Sequence, residues 1–241
     1  MLNKAISKNR DERLVFQVYN QILGIIHDRG VARTEKISAL NLAEKLGVSR
    51  TPVSFALFRM EIEGLLMGDE KGGWIVTPIS LADLDDCFDL KECLFPVIVE
   101  SATKKASTDD LTKLYTFIDE INRSIKWNDL FSWRAADKGF NHLLEVVSGN
   151  QRLTYVEQVI DNQLYRLLTT YLSLPNSDKN IFSGYQDIVF AISSGDAPLA
   201  MNKAKEFVIE LRGNQKKFLQ DVVIPLLGPS NSFGELISNN A

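Results

Sequence analysis

The 241-residue sequence predicts a mostly α-helical protein, in which an N-terminal winged helix-turn-helix is followed by an all-helical antiparallel bundle. Three observations predict this fold. The segment Leu42–Leu57 has the pattern of two short helices separated by a glycine. A short aromatic and β-branched segment, 74–77, follows a pair of glycines. From Leu81 onwards, helical periodicity dominates and strand patterns nearly vanish.

The first helix of the motif carries an apolar stripe and ends at Gly47, which can adopt the left-handed conformation that turns the chain. The second helix opens with a hydroxyl residue, Ser49 or Thr51, that can cap its free amides, and Pro52 suits the first turn. The apolar stripe consists of Leu42, Ala43 and Leu46.

In the second helix, helical spacing separates a buried face from an exposed one. A helix-turn-helix lays its second helix in the DNA major groove, so the exposed face is the candidate reading surface. The alternative is an ordinary helical hairpin inside a core. Predicted inward residues are Val53, Ala56, Leu57 and Met60. Predicted outward residues are Arg50, Thr51, Ser54, Phe55 and Arg59.

A wing is predicted after this helix, whose pattern ends near Gly64. The polar segment 67–71 leads to a turn at Gly72-Gly73, and the strand 74–77 closes a small hairpin. Lys71 lies near the tip, where a cation can meet a phosphate or enter the minor groove.

The remaining chain predicts a short linker, 78–80, and a bundle, 81–227, so that the winged domain covers 1–77. Ser80 can cap the first helix of the bundle. The tail 228–241 is rich in Gly, Ser and Asn and is expected to be loosely ordered. Predicted helices cover 81–105, 108–126, 129–148, 150–173, 178–194 and 197–226.

Composition indicates a globular protein of the reducing cytoplasm. No run of about 18 apolar residues predicts a membrane span, and the N-terminus lacks the apolar core of a signal peptide. Cys87 and Cys93 fall on different faces of one helix, which argues against a disulfide between them. The chain shows no catalytic constellation, and acidic pairs such as Asp85-Asp86 are typical of solvated helix faces, so we do not expect an enzyme.

Charge is distributed unevenly along the chain. Residues 1–77 hold eleven Lys or Arg and nine Asp or Glu residues, a net charge of +2, whereas 78–241 carries −6. A weakly basic DNA-binding domain makes few phosphate contacts, so useful affinity for double-stranded operator DNA requires a homodimer.

Several motifs resemble a known family of regulators. Residues 47–53, with Glu63-Gly64-Leu65 and Gly73, are similar to the DNA-binding domain of GntR-type regulators. Asp137-x-x-Phe140 before Ser148-Gly149-Asn150, and Ala191-Ile192-x-x-Gly195-Asp196, resemble the FCD effector domain of the FadR branch. The resemblance covers nearly the whole chain. It implies a ligand-responsive transcription factor, usually a repressor, that senses a small molecule through its helical domain.

In the resembled family, one aspartate and three histidines hold a metal that binds a carboxylate effector. Asp137 matches the aspartate, but Asn141, Tyr185 and Phe207 replace the histidines. His142 falls about 140° away from Asp137 on a helix and is expected to face another helix or solvent. Asp137 and Asn141 suit a hard cation, but Tyr and Phe are poor ligands. We therefore predict no metal cofactor, although a metal on Asp137 and Asn141 stays open.

The same comparison predicts which residues contact the effector. Lys91 occupies the position of an effector-binding arginine, and a cation there favours an organic acid. Arg134 lies one turn before Asp137, where it can pair with that residue or with a ligand anion. A hydrogen-bonded core without ligand is the alternative. The predicted effector-binding residues are Lys91, Arg134, Asp137, Asn141, Tyr185 and Phe207.

The DNA-binding domain departs from the family pattern as well. Ser54 and Phe55 replace an Arg-Glu pair, Gly72 replaces a wing arginine, and Arg33 replaces a proline. These losses leave open a second function, in which a degenerate family member acts through protein–protein contacts with weak or no effector binding. The predicted DNA-binding residues are Arg33, Ser49, Arg50, Thr51, Ser54, Lys71 and Gly73.

Overall fold

The computed structural model describes residues 2–29, 36–70, 72–172 and 183–227, and these ranges are mainly helical, as predicted. The chain forms two compact units, an N-terminal unit that ends at Ile79 and a bundle of Ser80–Leu226. Arg33, Lys71 and the predicted tail 228–241 lie outside the described residues.

The N-terminal unit contains the predicted helix-turn-helix and hairpin together with a long additional helix, α1. Helix α1 packs against α3, and its buried residues Val18, Ile22 and Ile26 recur every four positions, which places them on one face. The elements are α1 (Leu2–Arg29), α2 (Ala39–Leu46), α3 (Arg50–Ile62), β1 (Leu66–Gly68) and β2 (Trp74–Val76).

Local sequence explains how α2 and α3 are joined. The Ser38 hydroxyl accepts a hydrogen bond from the Asn41 amide at the start of α2, and Gly47 ends that helix with a φ of 66°. Every predicted inward residue of α3 is buried, and Leu57 has no exposed surface. The separation of α3 into a buried and an exposed face is therefore confirmed.

The wing is a two-stranded antiparallel hairpin in which Leu66 lies opposite Val76. Its first strand includes Met67 and Gly68 from the segment that the sequence showed as polar, and these residues pair with Trp74–Val76. The predicted hairpin is therefore confirmed. The Trp74 backbone also pairs with Ile37. A Cβ atom at residue 73 would lie 2.9 Å from the Ile37 carbonyl oxygen, so only glycine fits this approach.

The bundle follows the predicted helix order, with most boundaries shifted by one or two residues. The start of the predicted helix 178–194 falls partly outside the described residues, and the long C-terminal helix is interrupted by a π-helical turn, Leu219–Val223. The other helices are α4 (Leu81–Thr103), α5 (Thr108–Trp127), α6 (Leu130–Ser148), α7 (Gln151–Leu172), α8 (Ser183–Ser193), α9 (Ala197–Phe218) and α10 (Ile224–Leu227).

Helix α4 is the centre of the bundle, because α6, α7, α8 and α9 all pack against it. Ser80 caps α4 and forms a reciprocal capping box with Asp83, as the sequence predicted for the serine. The faces of α4, α6, α7, α8 and α9 that meet inside the bundle enclose the cavity described below. Within the described ranges, no helix is both long and apolar enough to cross a membrane.

Candidate functional site

The first turn of α3 is the candidate DNA-binding surface. Arg50 and Thr51 are exposed there, and Ser54 is half-buried one turn further along. Free backbone amides at a helix N-terminus attract phosphate groups, and an arginine there is able to reach a base edge or a phosphate. The predicted outward orientation of these three residues is confirmed, whereas their contacts with DNA stay a prediction.

Ser49 differs from the other serines that begin helices in this chain. Ser38, Ser80 and Ser107 each accept a hydrogen bond from an amide of the helix that follows. Ser49 occupies the same position before α3 but makes no such side-chain bond, and it is exposed. Its hydroxyl is therefore not used to stabilise α3 and is available to a phosphate.

Arg59 was predicted to point outward, but its guanidinium is engaged within the N-terminal unit and is not available to a phosphate. Its Nε donates to Glu63 Oε1 at 2.8 Å, and its guanidinium lies 4.6 Å from the ring centre of Tyr19. Tyr19 in turn donates a hydrogen bond to Glu63, which is buried. Arg59 therefore joins α1 to α3 and has a structural role.

The same helix exposes two aromatic residues. Phe55 is 63 % exposed and Phe58 is 57 % exposed. Aromatic side chains of this size are costly to leave in water, so their exposure on the candidate reading helix favours contact with another molecule.

In the wing, Gly73 has a structural reason for its identity, since its φ is 97° and the Ile37 carbonyl lies against it. Beside it, Lys36 pairs with Asp69 at 2.5 Å. The predicted backbone contact of Gly73 with DNA stays a prediction.

The bundle contains a small, partly polar cavity where the family comparison placed the effector. The volume of the cavity is about 30 Å³, enough for one or two waters. Five of the six predicted effector-binding residues line it, and Arg134 does not. The lining consists of Lys91, Phe95, Asp137, Asn141, Asp161, Leu164, Tyr165, Leu168, Tyr185, Phe207, Leu211 and Gln215.

Lys91 lines the cavity, but its charge already has partners. The ammonium lies 2.6 Å from Glu157 Oε1 and 2.5 Å from Asp161 Oδ1, both on α7, and the side chain is 6 % exposed. Burial alone would lower the pKa of Lys91, but the two carboxylates raise it overall, so the lysine is charged. The sequence does not reveal these partners, which leave Lys91 with no unpaired charge to offer an organic acid. Its predicted role in effector binding stays a prediction.

Asp137 is buried and holds the ring of Tyr185, another predicted effector-binding residue, in place. The Tyr185 hydroxyl donates to Asp137 Oδ1 at 2.5 Å. Burial raises the pKa of Asp137 to about 6, although the Tyr185 hydrogen bond acts in the opposite direction. Asp161, across the cavity, raises it further because like charges repel.

Tyr185 and Phe207 fill the positions of two family histidines with aromatic rings. Their ring centres are 4.6 Å apart, and Tyr185 also packs edge-on against Phe140. A Cβ atom at Gly184 would lie 2.5 Å from the Phe207 ring, so the glycine makes room for that ring. The predicted increase in apolar character at these positions is confirmed.

Arg134 takes a different place from the predicted one. Its guanidinium lies 5.7 Å from the ring centre of Tyr165, whose hydroxyl donates to the Arg134 backbone carbonyl. Of the two predicted partners of Arg134, Asp137 instead accepts a hydrogen bond from Tyr185. A ligand anion as the partner of Arg134 stays a prediction. Asn141 does line the cavity and is half-buried.

The residues present do not fit the metal site of the resembled family. Phe207 offers only ring carbons, and Asp137 Oδ1 already accepts a hydrogen bond from the Tyr185 hydroxyl. Across the described residues, no group of three His, Cys, Asp or Glu side chains is placed to hold a metal ion. His142 points away, with 65 % of its side chain exposed and its Nδ1 3.6 Å from Glu145, as its helical position predicted.

Three polar cavity residues are absent from the sequence prediction: Asp161, Tyr165 and Gln215. Gln215 was within reach of sequence reasoning, because Phe207, Leu211 and Gln215 recur every four residues and share one face of α9. Asp161 and Tyr165 share a face of α7 in the same way, but no motif links α7 to Asp137.

An N-terminal winged helix-turn-helix followed by a helical bundle is an architecture of transcriptional regulators. The chain belongs to the FCD domain family, whose model matches residues 86–208. The predicted relationship to GntR-type regulators with an FCD domain is thereby confirmed.

Individual relatives agree with this assignment. The chain is 30 % identical over 109 residues to the HTH-type transcriptional regulator YdhC of Bacillus subtilis, an alignment that covers 45 % of this chain and 49 % of YdhC. This chain thus spans about half the length of that relative. These matched proteins are transcriptional regulators, not enzymes.

Two solved structures share the fold. McbR/YncC of E. coli matches with a TM-score of 0.76 and 19 % identity, over 85 % of this chain and 97 % of that one. A GntR transcriptional regulator from Rhodococcus sp. RHA1 matches with a TM-score of 0.67 and 14 % identity, over 86 % and 97 % of the two chains.

Proposed function

We propose that this protein is a sequence-specific DNA-binding regulator of transcription whose bundle binds a small-molecule effector. The observation that carries the proposal is the first turn of α3, where Arg50 and Thr51 are exposed and the Ser49 hydroxyl is left unused by the helix. A side-chain set of this kind suits phosphate and base contacts in a major groove. Its setting is the cytoplasm, where operator DNA is found.

The experiment that tests this is selection of preferred sequences from random duplex DNA by the full chain, followed by titration of Arg50→Ala on the selected site. Loss of a bidentate base contact costs about 1–3 kcal/mol, so we expect roughly 10- to 100-fold weaker binding and a relaxed sequence preference. Lys104→Ala, which removes an exposed lysine of the bundle, is the control. Weak binding by the unmodified chain that ignores sequence and disappears at modest salt would contradict the proposal.

The active species is proposed to be a homodimer, because the weakly basic N-terminal unit offers few phosphate contacts per copy. Sedimentation of the full chain with the selected duplex should give two copies per site, with two half-sites about one helical turn apart or a multiple of it. One copy on a single half-site would contradict it.

Control of DNA binding is proposed to come from an effector that binds one arrangement of the bundles more tightly than another. The direction proposed is repression relieved by effector, as in the resembled family. A reporter placed behind the selected operator tests it: expression should rise when the gene for this protein is deleted, and a fall in expression would assign an activator instead.

The cavity is proposed to work without a metal cofactor, because aromatic rings occupy the ligand positions at Tyr185 and Phe207. Metal analysis of the purified protein and melting curves with divalent ions check this. Stoichiometric zinc or nickel that stabilises the bundle would overturn it.

A second candidate function is supported by the exposed Phe55 and Phe58 of α3, which suit a protein partner. In that case the chain acts through protein–protein contacts and depends little on an effector. The two functions differ in one comparison of variants. Arg50→Ala should abolish the regulatory phenotype if DNA is the target, whereas Phe55→Ser should abolish it, with Arg50→Ala harmless, if a protein is the target.

A further inference from the structure

Gln215 is a buried polar side chain without a partner, and it faces the bundle cavity. It lies on α9, is 1 % exposed and lines the cavity. Neither its Oε1 nor its Nε2 has a hydrogen-bond partner among the described residues. Buried amides are nearly always hydrogen-bonded, because an unpaired one loses its bonds to water without replacement. The amide therefore indicates that something polar occupies the cavity.

The charges around the cavity indicate the sign of that occupant. Asp137 and Asp161 line it directly, and Glu157 lies behind Lys91. Lys91 is the one ammonium or guanidinium group that lines the cavity within the described ranges, and it already bonds to Asp161 and Glu157. Arg134 is not part of the cavity lining, and its guanidinium lies 5.7 Å from the ring centre of Tyr165. An anion entering here would meet two carboxylates and a lysine whose charge is already balanced.

The apolar part of the wall also suits a cation. Rings of Phe95, Tyr165, Tyr185 and Phe207 line the cavity, and the Lys91 ammonium already lies 5.1 Å from the ring centre of Phe95. Ring faces attract organic cations, and recognition of alkylammonium groups by carboxylates and aromatic rings together is common chemistry. Ring carbons do not serve a bare metal ion, which needs several oxygen or nitrogen ligands instead.

We propose that the bundle cavity binds a small organic ammonium ion. Asp137 and Asp161 balance its charge, and Gln215 Oε1 accepts a hydrogen bond from one of its N–H groups. This inference rests on the proposed function, in that it names the chemical class of the effector. A cavity of about 30 Å³ limits the ligand to a few heavy atoms unless the helices move apart.

The test compares ligands of equal size and different charge. Ethylammonium, ethanol and formate each have three heavy atoms and carry positive, zero and negative charge. The affinity available to so few atoms is about millimolar at best. Titration of the full chain at constant ionic strength, followed by NMR and by melting temperature, should show saturable binding of ethylammonium alone. Formate binding as tightly as ethylammonium, or no saturable binding of any probe, would overturn the inference.

Variants at Gln215 test the assigned contact. Gln215→Leu fills the same space without a polar atom, so the bundle should remain folded and ethylammonium should bind at least 10-fold more weakly. Gln215→Glu keeps an acceptor at this position and should retain binding. Gln163→Leu, at a half-buried glutamine outside the cavity lining, is the matched control and should bind like the unmodified chain. Unchanged ethylammonium binding by Gln215→Leu would mean that Gln215 holds only water and would overturn the assignment.

Two readouts separate this inference from the proposed function. Arg50-dependent operator binding by a chain that does not bind ethylammonium overturns the inference and leaves the DNA-binding function in place. Ethylammonium binding by a chain that has no preferred DNA sequence supports the inference and overturns the DNA-binding function.

Discussion

In the N-terminal unit, the candidate functional residues Arg50 and Thr51 lie at the surface, and the fold does not depend on their side chains. In the bundle, Lys91 and Asp137 are buried and bonded to other helices. Substitutions at the two sites should therefore differ in kind. At the surface, function should change while stability stays; inside the bundle, any change in ligand binding comes with a change in stability.

The largest expected effect is at Lys91. Lys91→Met leaves the buried Glu157 and the half-buried Asp161 without a cation, which should lower the free energy of unfolding of the bundle by about 3–5 kcal/mol. Urea unfolding followed separately for the two units should show the bundle transition shift while that of the N-terminal unit stays.

Two further variants test the cause of that loss. Lys104→Met removes an exposed pair with Glu100 at the end of the same helix and should cost less than about 1 kcal/mol. Adding Glu157→Gln and Asp161→Asn to Lys91→Met should restore most of the stability, because no buried charge then lacks a partner. An equal loss from Lys91→Met and Lys104→Met would remove the distinction between buried and surface charges.

The next effect is a pH dependence that belongs to the bundle. Burial raises the pKa of Asp137 from 3.8 to about 6 and that of Glu145 from 4.5 to about 7. The folded bundle therefore holds more protons than the unfolded chain, so its stability falls as pH rises from about 4 to 7. Asp137→Asn removes the lower part of this fall and should stabilise the bundle at pH 8 by up to about 3 kcal/mol.

Urea unfolding at pH 5, 6, 7 and 8 measures this dependence. The exposed Asp187→Asn is the control and should leave the pH profile of the bundle unchanged. A bundle whose stability rises between pH 5 and 7 would show that Asp137 is ionised and stabilised by its neighbours instead.

The contrast between the units also explains which features the sequence revealed. Helix caps and apolar stripes are local, so Ser80, Gly47 and the buried face of α3 follow from residues a few positions apart. The partners of Lys91 lie 66 and 70 residues away, and no local pattern links α4 to α7. The sequence therefore predicted which positions line the cavity better than it predicted the partners of their side chains.

A smaller effect tests the wing. Gly73→Ala combines a φ of 97° with a Cβ atom 2.9 Å from the Ile37 carbonyl oxygen, and it should destabilise the N-terminal unit by about 2–3 kcal/mol. Gly72→Ala has a φ of 81° but open space around the new atom, so about 1 kcal/mol is expected. Thermal unfolding of the N-terminal unit measures both, and equal losses would show that backbone conformation alone sets the effect.

The smallest expected effect on stability is at Ser49, which we compare with Ser80 at an equivalent helix start. Ser80→Ala removes a capping box and should cost the bundle about 1 kcal/mol without altering DNA affinity. Ser49→Ala removes a hydroxyl that caps nothing, so the stability of the N-terminal unit should change by less than about 0.5 kcal/mol. Its affinity for the selected duplex should nevertheless fall several-fold through loss of a phosphate contact. Since the two serines share position and chemistry, opposite effects on stability and affinity would identify the start of α3 as a surface kept free for DNA.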